Sequence, residues 1–211
     1  MSDYLDTVEQ LYATAAVEPQ PALCCTQTPV WKLPGLQVPA SMLERNYGCG
    51  TTVHPRDLAD AGRILYVGVG AGMEALQMSY FVRQPGCVIA VDKVDAMLQT
   101  AAGLLGEAAA VNPWFDPSFI TLRKGDALAL PVADETIDLA AQNCLFNIFT
   151  REHLHRALAE MHRVLRPHGK LMLSDPVATE YTTTNAMNAA PSPGIRPPMT
   201  KSFAEEVIWC R

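Results

Sequence analysis

Positive charge is scarce in this chain. Its 16 lysines and arginines face 22 aspartates and glutamates, a formal net charge of -6 over 211 residues. A protein that grips nucleic-acid phosphates carries a basic face or stripe, so that class of partner is excluded. The spacings of a zinc site are also missing. Cys24, Cys25, Cys49, Cys87, Cys144 and Cys210 include no Cys-x-x-Cys and no cysteine-histidine pair at ligand spacing. No apolar run is long enough to span a bilayer. The first residues, Met1-Ser2-Asp3-Tyr4-Leu5-Asp6, carry acids where a secretory leader would carry bases. A cytoplasmic protein is expected, with its cysteines outside any disulfide framework. What is present, 49% hydrophobic and 18% charged residues, describes one globular domain with appendages, able to bury a core and suited to a small-molecule substrate rather than nucleic acid or membrane.

The central stretch is Ile64-Leu65-Tyr66-Val67-Gly68-Val69-Gly70-Ala71-Gly72, an apolar run that breaks into glycines and opens a helix at Met73. It reads as a buried parallel strand, a tight turn and a helix N-terminus. A dinucleotide fingerprint needs its third glycine where Met73 stands, which argues against NAD. The Gly-x-Gly-x-Gly spacing suits a nucleoside carrying an amino-acid tail and no pyrophosphate. A second apolar run, Cys87 to Val91, ends in Asp92, where a carboxylate can accept from ribose hydroxyls. A third, Phe119 to Leu122, leads to Gly125-Asp126-Ala127. Two acids at successive strand tips beside one Gly-rich turn resemble the class I S-adenosylmethionine-dependent methyltransferases, an α/β Rossmann-like doubly wound sheet. The same pattern would also arise from a doubly wound fold with ordinary strand-end acids.

Three regions follow: an N-terminal arm and lid over 1–58, a nucleoside-binding core over 59–176, and a Pro/Thr-rich segment over 177–211 that starts an acceptor-site region. The arm opens with a short amphipathic helix over Asp3 to Ala16, whose expected role is packing, and continues through recurrent prolines that hold Cys24-Cys25. Then comes Tyr47-Gly48-Cys49-Gly50, whose glycines predict a flexible backbone around Cys49. A glycine-flanked cysteine is also often a small hydrophobe in a turn. In the core, a helix is expected over Val94 to Leu105, a strand over Thr136 to Ala141 leading into Gln142-Asn143-Cys144-Leu145-Phe146-Asn147, a helix over Glu152 to Arg166, and a fifth strand over Lys170 to Asp175. The strand-tip rule points Cys144 toward the ligand crevice. Cys87 reads as core packing, and His153, His155 and His162 as solvated or packed side chains. A last helix is expected from Ser202, ending at Trp209-Cys210-Arg211.

Taken together, Leu23-Cys24-Cys25, Asn46-Tyr47-Gly48-Cys49-Gly50, Gly68 to Gly72, Ser118 to Pro131, Gln142 to Asn147 and Leu165 to Pro176 resemble the arsenite S-adenosylmethionine methyltransferases, most closely the cyanobacterial-type branch associated with arsenosugar formation. The methyltransferase segments are generic; the Tyr-Gly-Cys-Gly and Asn-Cys pair is the specific part. The resemblance implies S-adenosylmethionine as cofactor, with Asp92 on the ribose, Asp126 and Ala127 at the adenine, Gly68, Gly70 and Gly72 under the methionine part, and Tyr47 and Asn143 in contact from the lid and the fourth strand tip. It implies Cys49 and Cys144 as As(III)-ligating thiols with Cys210 as the third, Cys24 or Cys25 as a relay by disulfide exchange, a thiol reductant as partner, and arsenic detoxification or arsenosugar formation as the setting. Cys24-Cys25 could equally be ligand or bystander. The family continues with further strands where this sequence ends after Cys210, so a truncated form is expected.

The chemistry suits these residue types. Trivalent arsenic is soft and prefers thiolate sulfur to oxygen or nitrogen. Three sulfurs leave an unshared pair on the fourth side, so methyl transfer becomes a matter of positioning and needs no general base. An oxygen acceptor would need one, and no acid or histidine stands out in that role, with His54 and Asp175 left open. Two alternatives stand beside this reading: methylation of an organic small molecule with the cysteines incidental, and a non-catalytic metalloid-binding module.

Overall fold

The computed structural model describes residues 4–20 and 29–176. Strand β1 (Ile64–Val67) is four consecutive buried apolar residues, the pattern of a strand covered on both faces. Around it lies a five-stranded sheet, all parallel, in the order β3-β2-β1-β4-β5. The other strands are β2 (Val88–Asp92), β3 (Ile120–Lys124), β4 (Ile137–Asn143) and β5 (Leu165–Ser174). Chain order runs outward from β1 to β3 and then jumps back to β4 on its other side. The switch point between β1 and β4 is where such sheets open a ligand crevice at their C-terminal ends.

Alternate strand residues feed two cores. Ile64, Tyr66, Val88, Ala90, Leu139 and Ala141 pack one face against α4 (Met73–Val82) and α5 (Asp95–Val111). Leu65, Val67, Ile89, Val91 and Ala140 pack the other against Ala157, Met161 and Val164 of α6 (Arg151–Val164). Helices on both faces of a parallel sheet make this the doubly wound, Rossmann-like α/β fold. Helix α1 (Tyr4–Val17) sets Ala15 and Ala16 against Val94 and Met97, and the Thr100 hydroxyl donates to the Ala16 carbonyl at 3.0 Å. Short helices α2 (Ala40–Leu43) and α3 (Pro55–Leu58) bury Met42 and Leu58 in the first core.

Most boundaries lie within two residues of the sequence reading, and two differ by more. Helix α5 runs through Gly103 and Gly106 to Val111, because buried Ala108 continues its inward stripe. Strand β5 begins at Leu165, directly after α6, with Leu165 opposite Ile137 and an irregularity before Lys170 meets Leu139. No helix among the described residues is long and apolar enough to cross a membrane. The expected Pro/Thr-rich segment and terminal helix lie outside the described residues.

Candidate active site

The crevice opens where the Gly-rich turn, the tips of β2 and β4 and the loop after β3 converge, and α1 covers it. Gly68, Gly70, Asp92, Gly125, Asp126, Ala127, Asn143, Cys144 and Tyr47 line it, with Leu5, Val8, Glu9 and Tyr12 from α1 above. Gly70 has φ +51 and a side chain there would point into open space, so the turn exposes bare backbone to the crevice. Gly72 does not line the crevice. It precedes α4 with φ +82, against Leu105 and Ala101 of α5, so its place is structural.

Asp92 accepts the Val94 amide at 3.0 Å. Burial pushes its carboxyl above the usual aspartate range, opposed by hydrogen bonds from the backbone of Val94, Gly70, Val69 and Lys93. Asp126 accepts the Leu128 amide at 2.8 Å and lies 3.4 Å from Lys93, whose ammonium also reaches Glu9 of α1 at 3.6 Å. Burial lowers the Lys93 pKa, but the Asp126 and Glu9 carboxylates outweigh it and the net direction is up. The rest of the lining is apolar, from Val67, Met97, Leu145, Ile148 and Phe149. Bare glycine backbone, a buried carboxylate at a strand tip and an apolar wall fit a nucleoside with an amino-acid tail, and the acidic groups suit a sulfonium. Neither His54 nor Asp175 lines this crevice. His54 lies edge-on to Trp31, with ring centroids 6.1 Å apart.

The two cysteine-bearing segments meet beside it. The Cys49 amide donates to Asn143 Oδ1 at 2.9 Å, and the Cys49 carbonyl accepts from the Ser174 hydroxyl. Ser174 in turn accepts the Cys144 amide at 2.6 Å through its own carbonyl. Cys49 and Cys144, 95 positions apart, therefore share Ser174 as a partner, and Asn143, which receives the Cys49 amide, is the residue before Cys144; both cysteines are half-buried and outside any disulfide. Cys144 lines the crevice and takes φ +59, a left-handed conformation uncommon without glycine. Its sulfur accepts from Asn147 Nδ2 at 3.4 Å. That amide also reaches Asp175 Oδ1 at 3.2 Å, and Gln142 donates to the same carboxylate's other oxygen. Burial raises the Asp175 carboxyl despite these donors.

The glycines beside Cys49 permit a close approach. A Cβ at Gly48 would come within 3.2 Å of the Asn143 amide, and one at Gly50, where φ is +83, within 3.1 Å of Ser174 Oγ. Their missing side chains let this backbone lie close against the strand tips. Tyr47 lines the crevice and its hydroxyl accepts the Gln20 amide at 2.7 Å. Cys87 is core, as read: 3% exposed, with Sγ 3.4 Å from the Phe119 carbonyl, and burial pushes its thiol up. Cys24, Cys25 and Cys210 lie outside the described residues. Among the described residues no group of three or more His, Cys, Asp or Glu is set to hold a metal ion.

Sequence reasoning did not single out Glu74, Ser174 as the common partner, or the crevice-facing side of α1. An acid within the apolar run Ala71-Gly72-Met73-Glu74-Ala75-Leu76 was the available signal for the first.

Residues 65–173 match the family model described as a methyltransferase domain. An arsenite methyltransferase of Halobacterium salinarum is 33% identical over 132 residues, which covers 63% of this chain and 32% of that protein. A ubiquinone/menaquinone biosynthesis C-methyltransferase of Blochmanniella pennsylvanica is 31% identical over 112 residues, 53% of this chain and 41% of that protein. The crystal structure of an arsenic (III) S-adenosylmethionine methyltransferase from Chlamydomonas reinhardtii aligns with TM-score 0.56 and 28% identity, over 69% of this chain and 50% of that one. This chain spans about a third to a half of the length of these relatives.

Proposed function

The chain belongs to the methyltransferase domain family, with S-adenosylmethionine as its cofactor, and on that premise we propose that it transfers methyl groups to As(III) held by thiolates of Cys49 and Cys144. The observation that carries the proposal is the meeting of the Cys49 segment with the β4 tip beside the crevice, where the Cys49 amide binds Asn143, the residue before Cys144, and both cysteines bind Ser174. Similarity to two proteins described as arsenic or arsenite methyltransferases supports it.

When bound, S-adenosylmethionine supplies a methyl group on positively charged sulfur. Asp92 would accept from its ribose hydroxyls, Asp126 and Ala127 would border the adenine, the Gly68 and Gly70 backbone would lie under the amino-acid part, and Asn143 and Tyr47 would flank it. Leu5, Val8 and Tyr12 exclude water from above. Cys49 and Cys144 bind arsenic as thiolates, so their protons leave on binding. Asn147 donates toward the Cys144 sulfur and stabilises its charged form. The third sulfur is assigned to Cys210, the relay to Cys24 or Cys25, and turnover to a thiol reductant. Arsenic detoxification or arsenosugar formation is the corresponding setting, in the cytoplasm.

Methyl transfer from labelled S-adenosylmethionine to arsenite tests this. Cys49→Ser and Cys144→Ser each abolish product while cofactor affinity stays within about threefold, a change of under about 1 kcal/mol. Normal turnover in both variants refutes it. The relative that acts in quinone biosynthesis favours a second reading, an organic acceptor seated on the apolar wall by Ile148 and Phe149. Under that reading a variant with all six cysteines replaced still methylates its acceptor.

A further inference from the structure

Glu74 stands at the first turn of α4, 4% exposed, on the far side of Asn143 from the Cys49 amide. A carboxylate buried this deeply is stable only if its lone pairs are filled. Here they are. Oε1 accepts from the Thr51 hydroxyl and the Thr52 amide, each at 2.8 Å. Oε2 accepts from the Thr52 hydroxyl at 2.7 Å, the Tyr66 hydroxyl at 2.9 Å and Asn143 Nδ2 at 3.3 Å. The N-terminal end of α4 adds a favourable dipole. These donors come from three places: the loop that follows Cys49, strand β1, and the residue that precedes Cys144.

We propose that Glu74 is a positioning residue that sets the approach of Cys49 to Cys144, by tying the loop after Cys49 and the β4 tip to one carboxylate. It rests on the function proposed above for what the thiol pair does, and not for how the pair is held. The linkage runs from Thr51 and Thr52 through Glu74 to Asn143, whose Oδ1 closes the loop on the Cys49 amide.

The donor set explains why a glutamate is needed. Each oxygen faces one N–H that can only donate, the Thr52 amide on Oε1 and the Asn143 amide on Oε2. A glutamine in the same place presents an NH2 to one of the two in either orientation. One link, to the loop or to the strand tip, must break. Tyr66 supplies a control, since its hydroxyl binds the same carboxylate and belongs to neither cysteine segment.

The test is bridging by dibromobimane, a bifunctional thiol reagent that becomes fluorescent when both arms have reacted, with peptide mapping of the Cys49–Cys144 product. Wild type forms this bridge. Glu74→Gln lowers its yield at least fivefold while S-adenosylmethionine affinity stays within threefold. Tyr66→Phe lowers the melting temperature and leaves the bridge intact. Thr52→Val removes one loop donor, lowers the yield at least twofold, and carries the test if the Glu74 variant does not fold. Wild-type bridging in the variants at Glu74 and Thr52, or an equal loss in Tyr66→Phe, overturns the proposal whatever the acceptor is. If bridging behaves as stated and wild type cannot methylate arsenite, the positioning role stands and the arsenic reading falls.

Discussion

Gly48 shows how much the site depends on a few missing atoms. A Cβ there would lie 3.2 Å from both terminal atoms of the Asn143 amide, the group that receives the Cys49 amide. Gly48→Ala must therefore push Asn143 or the Cys49 backbone aside by a few tenths of an ångström. Misplacing reacting groups costs far more rate than stability, up to about a hundredfold per ångström. We expect methyl transfer to fall about tenfold by that reasoning, with a melting temperature close to wild type, as read by paired activity and thermal-melt assays. The carboxylates carry a pH signature. Asp92 and Asp175 both have folded-state pKa values raised by burial. Between the ordinary aspartate value and the raised one the folded state binds more protons than the unfolded state, so stability falls as pH rises through that window. Asp92→Asn and Asp175→Asn each flatten part of that slope in melts taken across the acid range.

Helix α1 behaves as a cover rather than mere packing. Polar ties hold it over the crevice: the Tyr4 hydroxyl, 3.3 Å from His153 Nδ1, also accepts the Thr150 amide, Glu9 lies 3.6 Å from Lys93, and the Ala16 carbonyl accepts from Thr100. Removing residues 1–17 strips the apolar roof of Leu5, Val8 and Tyr12 from the crevice. We expect S-adenosylmethionine affinity to drop at least tenfold, about 1.4 kcal/mol, while a cooperative melt persists, since the sheet and its two cores draw little on α1. Calorimetric titration and thermal melts check this. Amphipathic spacing from Leu5 to Ala15 announced the helix, but not which ligand its face would meet, because that depends on α5 and α6 far along the chain. The strands were legible for a local reason: each is an apolar run that stops at a glycine or a polar tip. The start of β5 was not, since Leu165 is paired only through Ile137, nearly thirty residues earlier. Glu74 escaped notice for the same reason. Besides Tyr66 its partners are Thr51, Thr52 and Asn143, and periodicity within α4 says nothing of them.

At the scale of the molecule, the order β3-β2-β1-β4-β5 brings distant tips into one crevice. Asp92 and Asp126 stand on one side of β1 and Cys144 on the other, with the Cys49 segment laid across the tips of β4 and β5. The cofactor side follows from the family. The acceptor side is the central claim, and As(III) binding tests it apart from turnover. Titration of arsenite into protein saturated with S-adenosylhomocysteine, the spent cofactor that cannot donate a methyl group, is predicted to give a thiolate-to-arsenic absorbance and a saturable heat in wild type. Both are predicted to be lost in Cys49→Ser and in Cys144→Ser. Arsenite binding of wild-type strength in either variant would contradict the account.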